Sequence, residues 1–214
     1  MEKQFWHQKW EKKEIAFHEH DVNPLLRKYF FNLKLQKESR IFLPLCGKTL
    51  DISWLVENGY KVVGAELSKL AIEELFEELK QKPQIQKLSK FTHYKTDRID
   101  IYVGDIFDLT NAELGSIDAI YDRAALVALP KEMRTRYSAH LIKISHNAPQ
   151  LLICYEYDQT VLNGPPFSIV KEEVFEHYSR FYGINLLESA VVPGGLRGKT
   201  PATENVWVLE QISS

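Results

Sequence analysis

The sequence predicts an α/β protein: a doubly wound, seven-stranded, mostly parallel sheet that closes with a C-terminal antiparallel hairpin. Three observations carry that expectation. Short β-branched runs alternate with longer amphipathic ones, and no repeat, low-complexity tract or Pro/Gly/Ser linker interrupts them. Of the 214 residues 44% are hydrophobic and 26% charged, an ordinary globular balance. The length suits one domain, residues 1–214, with residues 1–35 as an aromatic N-terminal cap or lid. A chain of this size buries about 70% of its unfolded surface, so it needs no disulfide or metal staple.

The elements follow in order. Arg40 to Leu45 is an apolar run ending at a Cys46-Gly47 turn, a first strand. Thr49 to Asn58 has helical spacing, with Leu50, Trp54 and Leu55 on one face and Gly59 as its stop. Tyr60 to Glu66 is apolar on both faces, as a buried parallel strand is. Ser68 caps the next helix, whose wet side carries Glu73, Glu74, Glu77 and Glu78. Residues 83–97 are polar and basic and are expected to form a loop. Ile99 to Val103 is a third strand ending at Gly104-Asp105, and Ser116 to Tyr121 a fourth running into Asp122-Arg123. A helix over Lys131 to His146 and a fifth strand over Gln150 to Tyr155 come next. A helix from Lys171 to about Tyr182 and two strands, near Ile184 to Val192 and Asn205 to Glu210, complete the chain.

Composition narrows the partners. With 27 Lys+Arg against 29 Asp+Glu the net charge is -2, which supplies no electrostatic attraction to nucleic acid or an anionic membrane. Cys46 and Cys154 stand alone, outside any CxxC or zinc spacing. Cys46, beside a tight turn, raises the question of a nucleophile, but a small buried filler is the favoured reading. The N-terminal MEKQFWHQKWEKKE lacks the apolar core of a signal peptide, and no apolar run approaches the roughly 20 residues that span a bilayer. The expectation is a soluble, cytoplasmic monomer acting on a small molecule.

In open α/β sheets ligands bind at the carboxyl ends of the strands. Gly47 follows the first strand, and Glu66 ends the second 19 positions later, the spacing that sets a glycine turn under a nucleotide and an acid on its ribose. The turn reads PLCGK and lacks the glycines of G-x-G-x-x-G that admit a pyrophosphate. A nucleoside without phosphates fits better, and S-adenosylmethionine is the common one. Asp105, one residue past the third strand, is placed either to hold an adenine amino group or to cap its own turn. With Glu66 at the neighbouring strand end, the ligand reading is favoured. Arg123 faces the same crevice and cannot lose its charge. Its competing role is an ion pair with Asp122 or another acid.

Phe5, Trp6, Trp10 and Phe17 precede the first strand, either as a lid that excludes water or as a helix packed into ordinary core, the commoner arrangement. His18-Glu19-His20-Asp21 lacks helical ligand spacing and is expected to be a polar loop. Asn163-Gly164-Pro165-Pro166-Phe167 is similar to the N/D-P-P-Y/F element of base-modifying methyltransferases. A glycine interrupts it, however, and it follows the fifth apolar strand where the fourth is expected.

Taken together, FWHQKWEKKEIAFHE at 5–19, FLPLCGKTLDISWL at 42–55, GYKVVGAELS at 59–68 and IYDRAALVALP at 120–130 resemble the thiopurine S-methyltransferase family, in its bacterial branch. NGPPF at 163–167 and GGLRGK at 194–199 extend the resemblance over nearly the whole chain. It implies a class I methyltransferase fold, Rossmann-like, with S-adenosylmethionine as cofactor and S-adenosylhomocysteine as product. It also implies roles. Trp10, Leu45 and Gly47 contact the cofactor, Glu66 holds its ribose, Asp105 and Ile106 flank the adenine, and Arg123 lies near the methionine carboxylate or the acceptor thiol. Phe17 meets the acceptor ring with Trp6 beside it, and Arg197 is a second arginine near the acceptor.

The implied activity is methyl transfer to the sulfur of a small heteroaromatic thiol by direct in-line displacement. Family members are also linked to selenium and tellurium methylation. Positive charge from Arg123 and Arg197 favours a thiolate, and orientation in a dry pocket is worth roughly 7–11 kcal/mol. Three alternatives stand beside this reading: another small-molecule acceptor, a nicotinamide-dependent oxidoreductase, disfavoured by the missing G-x-G-x-x-G, and a non-catalytic nucleoside-binding module.

Overall fold

A computed structural model describes residues 3–212, which fall into two compact units, one running to Ala119 and the other from Ile120. In the first, α1 (Lys3–Glu11) and α2 (Pro24–Tyr29) precede the sheet. Asn23 caps α2 by accepting from the Leu25 and Leu26 amides at 2.9 and 3.2 Å, and Pro24 takes the first helical position, where its missing N–H costs nothing. The Asn23 amide donates to Asp51 Oδ1 at 2.8 Å, tying this N-terminal stretch to α3 (Asp51–Glu57).

Within this unit β1 (Arg40–Pro44), β2 (Lys61–Glu66) and β5 (Ile99–Val103) pair in parallel, in the order β5-β2-β1. Residues 41–44 and 62–66 are buried throughout, the signature of strands covered on both faces. Gly64 interrupts the apolar run because a Cβ there would lie 2.6 Å from Ile101 Cδ1 and 2.8 Å from Cys46 Sγ. The cysteine is thus the buried filler anticipated, its thiol held protonated by burial and by the nearby Glu66. Ser68 caps α4 (Lys69–Glu78), which buries Ala71, Ile72, Leu75 and Phe76. The 3-10 turn at Ile106–Asp108 and α5 (Asn111–Leu114) follow β5.

One expectation is corrected here. Residues 83–97 are not a loop: β3 (Gln84–Lys87) and β4 (Thr92–Lys95) form an antiparallel hairpin that extends the sheet beyond β5. All four β3 residues are exposed, so the strand is held by backbone pairing and has no apolar pattern to announce it. Tyr94, stacked on Phe76 with centroids 5.9 Å apart, His93, stacked on Tyr102 at 4.4 Å, and the buried Phe91 anchor the hairpin to the core.

In the second unit β6 (Ala119–Arg123) pairs in parallel with β7 (Gln150–Tyr157), and β7 is antiparallel to β9 (Ala202–Gln211), which is antiparallel in turn to β8 (Tyr182–Val191). The expected C-terminal hairpin is present. The described residues hold nine strands where seven were expected, and the β3–β4 hairpin is the difference. Helix α6 (Lys131–Ser145) matches its expected span, whereas α7 (Lys171–Tyr178) stops four residues early. Tyr182 is drawn into β8 because its hydroxyl donates to the Ala148 carbonyl at 3.1 Å and accepts from Gln150 Nε2 at 3.1 Å. No helix among the described residues is long and apolar enough to cross a membrane.

Helices α6 and α7 are joined by a buried ion pair. Arg134 grips Glu173 through Nε at 2.6 Å and Nη2 at 3.0 Å and spends Nη1 on the Leu129 carbonyl at 2.8 Å. His177 lies 3.2 Å from the same carboxylate. Burial acts to raise the Glu173 carboxyl, but the His177 and Arg134 hydrogen bonds overcome it and hold it down to about 2. A depressed carboxylate stabilises the fold above its ordinary range, and that contribution is lost as pH falls toward 2. Removing one partner strands a buried charge, so Glu173→Ala should cost about 3–5 kcal/mol at pH 7. Urea unfolding measures this directly, and a loss under about 1 kcal/mol would show the pair to be ornamental.

Candidate functional site

Glu66 closes β2 with its carboxylate buried and doubly engaged. Oε2 accepts from the Gly47 amide and Oε1 from the Ser68 amide, each at 2.8 Å. Burial raises its pKa, and the backbone donors of Ser68, Gly47 and Leu67 oppose that rise. A carboxylate has about four acceptor positions, so these amides leave capacity for an incoming hydroxyl.

The Gly47 turn beneath it requires its glycine. The residue sits at φ +52°, and a Cβ there would approach Trp10 Cζ2 to 3.1 Å. The buried Trp10 ring therefore rests on the turn itself. Leu45, half-buried just past β1, is held at φ 48° although it is not a glycine, a left-handed conformation that costs roughly 1–2 kcal/mol. Lys48 ties the far side of the turn to α4 through Glu74 at 2.9 Å and Glu78 at 2.6 Å.

The aromatic residues of α1 and Phe17 beyond it form one edge-to-face series. Phe5 meets Trp6 at 5.2 Å, Trp6 meets Phe17 at 5.7 Å, and Trp10 meets Phe17 at 5.5 Å between centroids. Trp10 is buried; Trp6 and Phe17 are half-exposed. Beyond β5, Asp105 does cap its own turn, accepting from the Phe107 amide at 3.0 Å, and it also takes an ion pair from Lys3 at 2.8 Å. The buried Ile106 follows. Lys3 had no signal in the sequence, being one lysine of a charged helix.

The remaining candidates belong to the second unit. Arg123 ends β6 half-buried, and Ala124 behind it stands at φ 60°. Each unit thus places a non-glycine residue in left-handed backbone one step past a parallel strand. Asp122 is fully buried; its Oδ2 accepts from the Tyr137 hydroxyl at 2.7 Å and its Oδ1 from the Leu126 amide at 3.1 Å. Burial pushes its pKa up to about 6 against those hydrogen bonds. Tyr137 was not singled out from the sequence, because a tyrosine in an apolar helix stripe reads as core.

Two late motifs meet in this unit. Arg197, exposed at φ 54°, donates through Nη2 to the Pro165 carbonyl at 2.8 Å, so GGLRGK is tied to NGPPF. Tyr157 donates to the Pro166 carbonyl at 2.6 Å, and the Arg134 guanidinium lies 5.7 Å from the Phe167 ring centroid. No group of three His, Cys, Asp or Glu among the described residues is arranged to hold a metal ion.

Comparison with known proteins agrees with this frame. A family model described as thiopurine S-methyltransferase matches residues 1–211. A thiopurine S-methyltransferase of Xanthobacter autotrophicus is 50% identical over 212 residues, covering 99% of this chain and 100% of that relative. One from Teredinibacter turnerae is 48% identical over 211 residues, covering 99% and 98%. Among solved structures, Burkholderia thailandensis 1,6-didemethyltoxoflavin-N1-methyltransferase, with 1,6-didemethyltoxoflavin and S-adenosylhomocysteine bound, superposes with a TM-score of 0.68 at 13% identity, over 99% of this chain and 87% of that one. At that identity the likeness speaks to fold alone, and the fold is that of the class I methyltransferases.

The Gly47 geometry is directly testable. Gly47→Ala adds about 1–2 kcal/mol of left-handed strain and pushes the Trp10 ring off the turn. Both a lower urea midpoint and an altered near-ultraviolet tryptophan dichroism are expected, and a variant unchanged in both would refute the packing described.

Proposed function

The chain belongs to the thiopurine S-methyltransferase family, and from that premise we propose that it methylates the sulfur of a small, heteroaromatic thiol by direct in-line displacement. It is a methyltransferase, and its cofactor is S-adenosylmethionine. When bound, that cofactor supplies an electrophilic methyl group on a sulfonium. The observation that carries the reading is Glu66: a buried carboxylate fixed by the Gly47 and Ser68 amides at a strand end, with acceptor capacity left over for a ribose hydroxyl.

The residues of this chain divide the remaining work. Trp10, Leu45 and Gly47 shape the cofactor floor, and Asp105 and Ile106 flank the adenine. Leu45 and Gly47 follow the end of β1 and Asp105 and Ile106 the end of β5, while Trp10 reaches the same Gly47 turn from α1. Trp6 and Phe17 offer half-exposed aromatic faces to a flat acceptor ring and exclude water from it. Arg123 serves the methionine carboxylate or the acceptor sulfur, and Arg197 the acceptor. Both guanidinium groups keep their charge at any working pH, and a fixed positive charge lowers the pKa of a nearby thiol. No general base and no covalent intermediate are required, in keeping with the protonated, buried Cys46. Selenium and tellurium analogues of the thiol fall within the same chemistry. The reading places the enzyme in the cytoplasm as a monomer, and the net charge of -2 supports a small-molecule substrate over nucleic acid.

Calorimetric titration with S-adenosylhomocysteine, followed by methyl transfer to 6-mercaptopurine, tests the proposal. Binding with turnover is expected. Binding without turnover on any thiol would refute the acceptor assignment, and no binding would refute the role of Glu66. Arg123→Lys keeps the charge but loses the planar fork. One charged hydrogen bond is worth about 1.5–3 kcal/mol, so kcat/KM should fall about 10- to 100-fold with the fold intact. Wild-type rates in that variant would remove Arg123 from the site.

A further inference from the structure

We propose that Asp122 and Tyr137 are a positioning pair for Arg123: together they lock the turn that aims the guanidinium, and so govern its action without touching substrate. This rests on the reading above that Arg123 works in the active site.

The geometry is a closed loop of four peptide units. Asp122 Oδ1 accepts from the Leu126 amide four residues ahead, at 3.1 Å, and encloses Arg123, Ala124 and Ala125. Ala124 stands at φ 60°, which an alanine adopts only where its surroundings impose it. Arg123 is therefore pinned on both sides, behind by its register with Ile153 in the β6–β7 pairing and ahead by the capped turn. The second carboxylate oxygen is held from a different element: Tyr137, fully buried on α6, donates to Oδ2 at 2.7 Å. With both oxygens engaged the carboxylate has a single orientation, and the turn inherits it.

The same arrangement makes the turn sensitive to protonation. The other titratable groups around Asp122 are Tyr137 of α6, Tyr178 of α7 and Cys154 of β7, and burial keeps all three neutral. The Tyr178 hydroxyl is buried without a hydrogen-bond partner among the described residues. Burial pushes the Asp122 carboxyl up to about 6. A protonated carboxyl carries a hydrogen on one oxygen and is a weaker acceptor on the other, so the lock loosens from the acid side. The Tyr137 hydroxyl favours the ionised form, and removing it must move that transition to higher pH.

The arginine Nε–H region of a nitrogen-15 correlation spectrum reads this out, with the Arg123 resonance assigned through Arg123→Lys. In the wild type that resonance should titrate with a midpoint of about 6. Tyr137→Phe should shift the midpoint upward, and Asp122→Asn should abolish it. An Arg123 resonance indifferent to pH, or a midpoint unmoved in Tyr137→Phe, overturns the proposal; if Asp122→Asn does not fold, Tyr137→Phe decides alone. The acid limb of kcat/KM, followed with one thiol for all proteins so that its own ionisation is common, should move with the resonance. A resonance that behaves as stated in a protein inactive on thiols would sustain the pair and sink the proposed function. Activity with an unmoved limb and resonance would do the reverse.

Discussion

A carboxylate taken out of water at the end of a parallel strand dictates much of what surrounds it. Ionised, it must find donors close by, and the nearest are the amides of the turn that follows or of the turn beside it. Glu66 draws the Gly47 turn and the start of α4 onto its two oxygens. Asp122 solves the same problem in its own unit with the Leu126 amide and a tyrosine from α6. In both cases the loop is shaped by the acid before any ligand arrives, so the preorganisation of the strand ends follows from the cost of desolvation. The backbone strain at Leu45 and Ala124 has the same origin, because a loop bound to a fixed acceptor cannot relax into an ordinary turn.

How much of this was legible beforehand depended on burial. Strands β1, β2 and β7 are buried on both faces, so they appear as continuous apolar runs, and their carboxyl ends could be located and searched. Glu66 and Gly47 were visible because their spacing follows from the lengths of one helix and one strand. The β3–β4 hairpin was not visible, because exposed Gln84, Gln86 and Lys87 satisfy only backbone partners. The early end of α7 was hidden for a related reason: Tyr178 and Tyr182 share helical spacing, and only the long-range bonds of Tyr182 to Ala148 and Gln150 decide against the helix.

Side-chain partnerships were harder still. An ion pair with Asp122 or another acid was the competing role for Arg123; the Asp122 carboxylate itself engages Tyr137, 15 positions away, and the Leu126 amide. Asp105 suggested two competing roles; the structure adds a third, the pairing with Lys3. These choices depend on which helix covers which strand end, and that information is tertiary. Motif resemblance supplied what periodicity did not, because GGLRGK and NGPPF have no pattern of their own and are tied by one hydrogen bond from Arg197.

The exposed β3 strand has a bearing on behaviour in a crowded solution. An outermost strand carries an unpaired row of amides and carbonyls and invites another chain to add to it. Here the row is four residues long, only Ile85 among them is apolar, and Lys82, Lys87 and Lys90 lie in or beside it. So short a ladder, flanked by like charges that repel a second copy, makes a poor template for fibre growth. The polarity that concealed the strand from a reading of the sequence is the same property that lets the protein carry it safely.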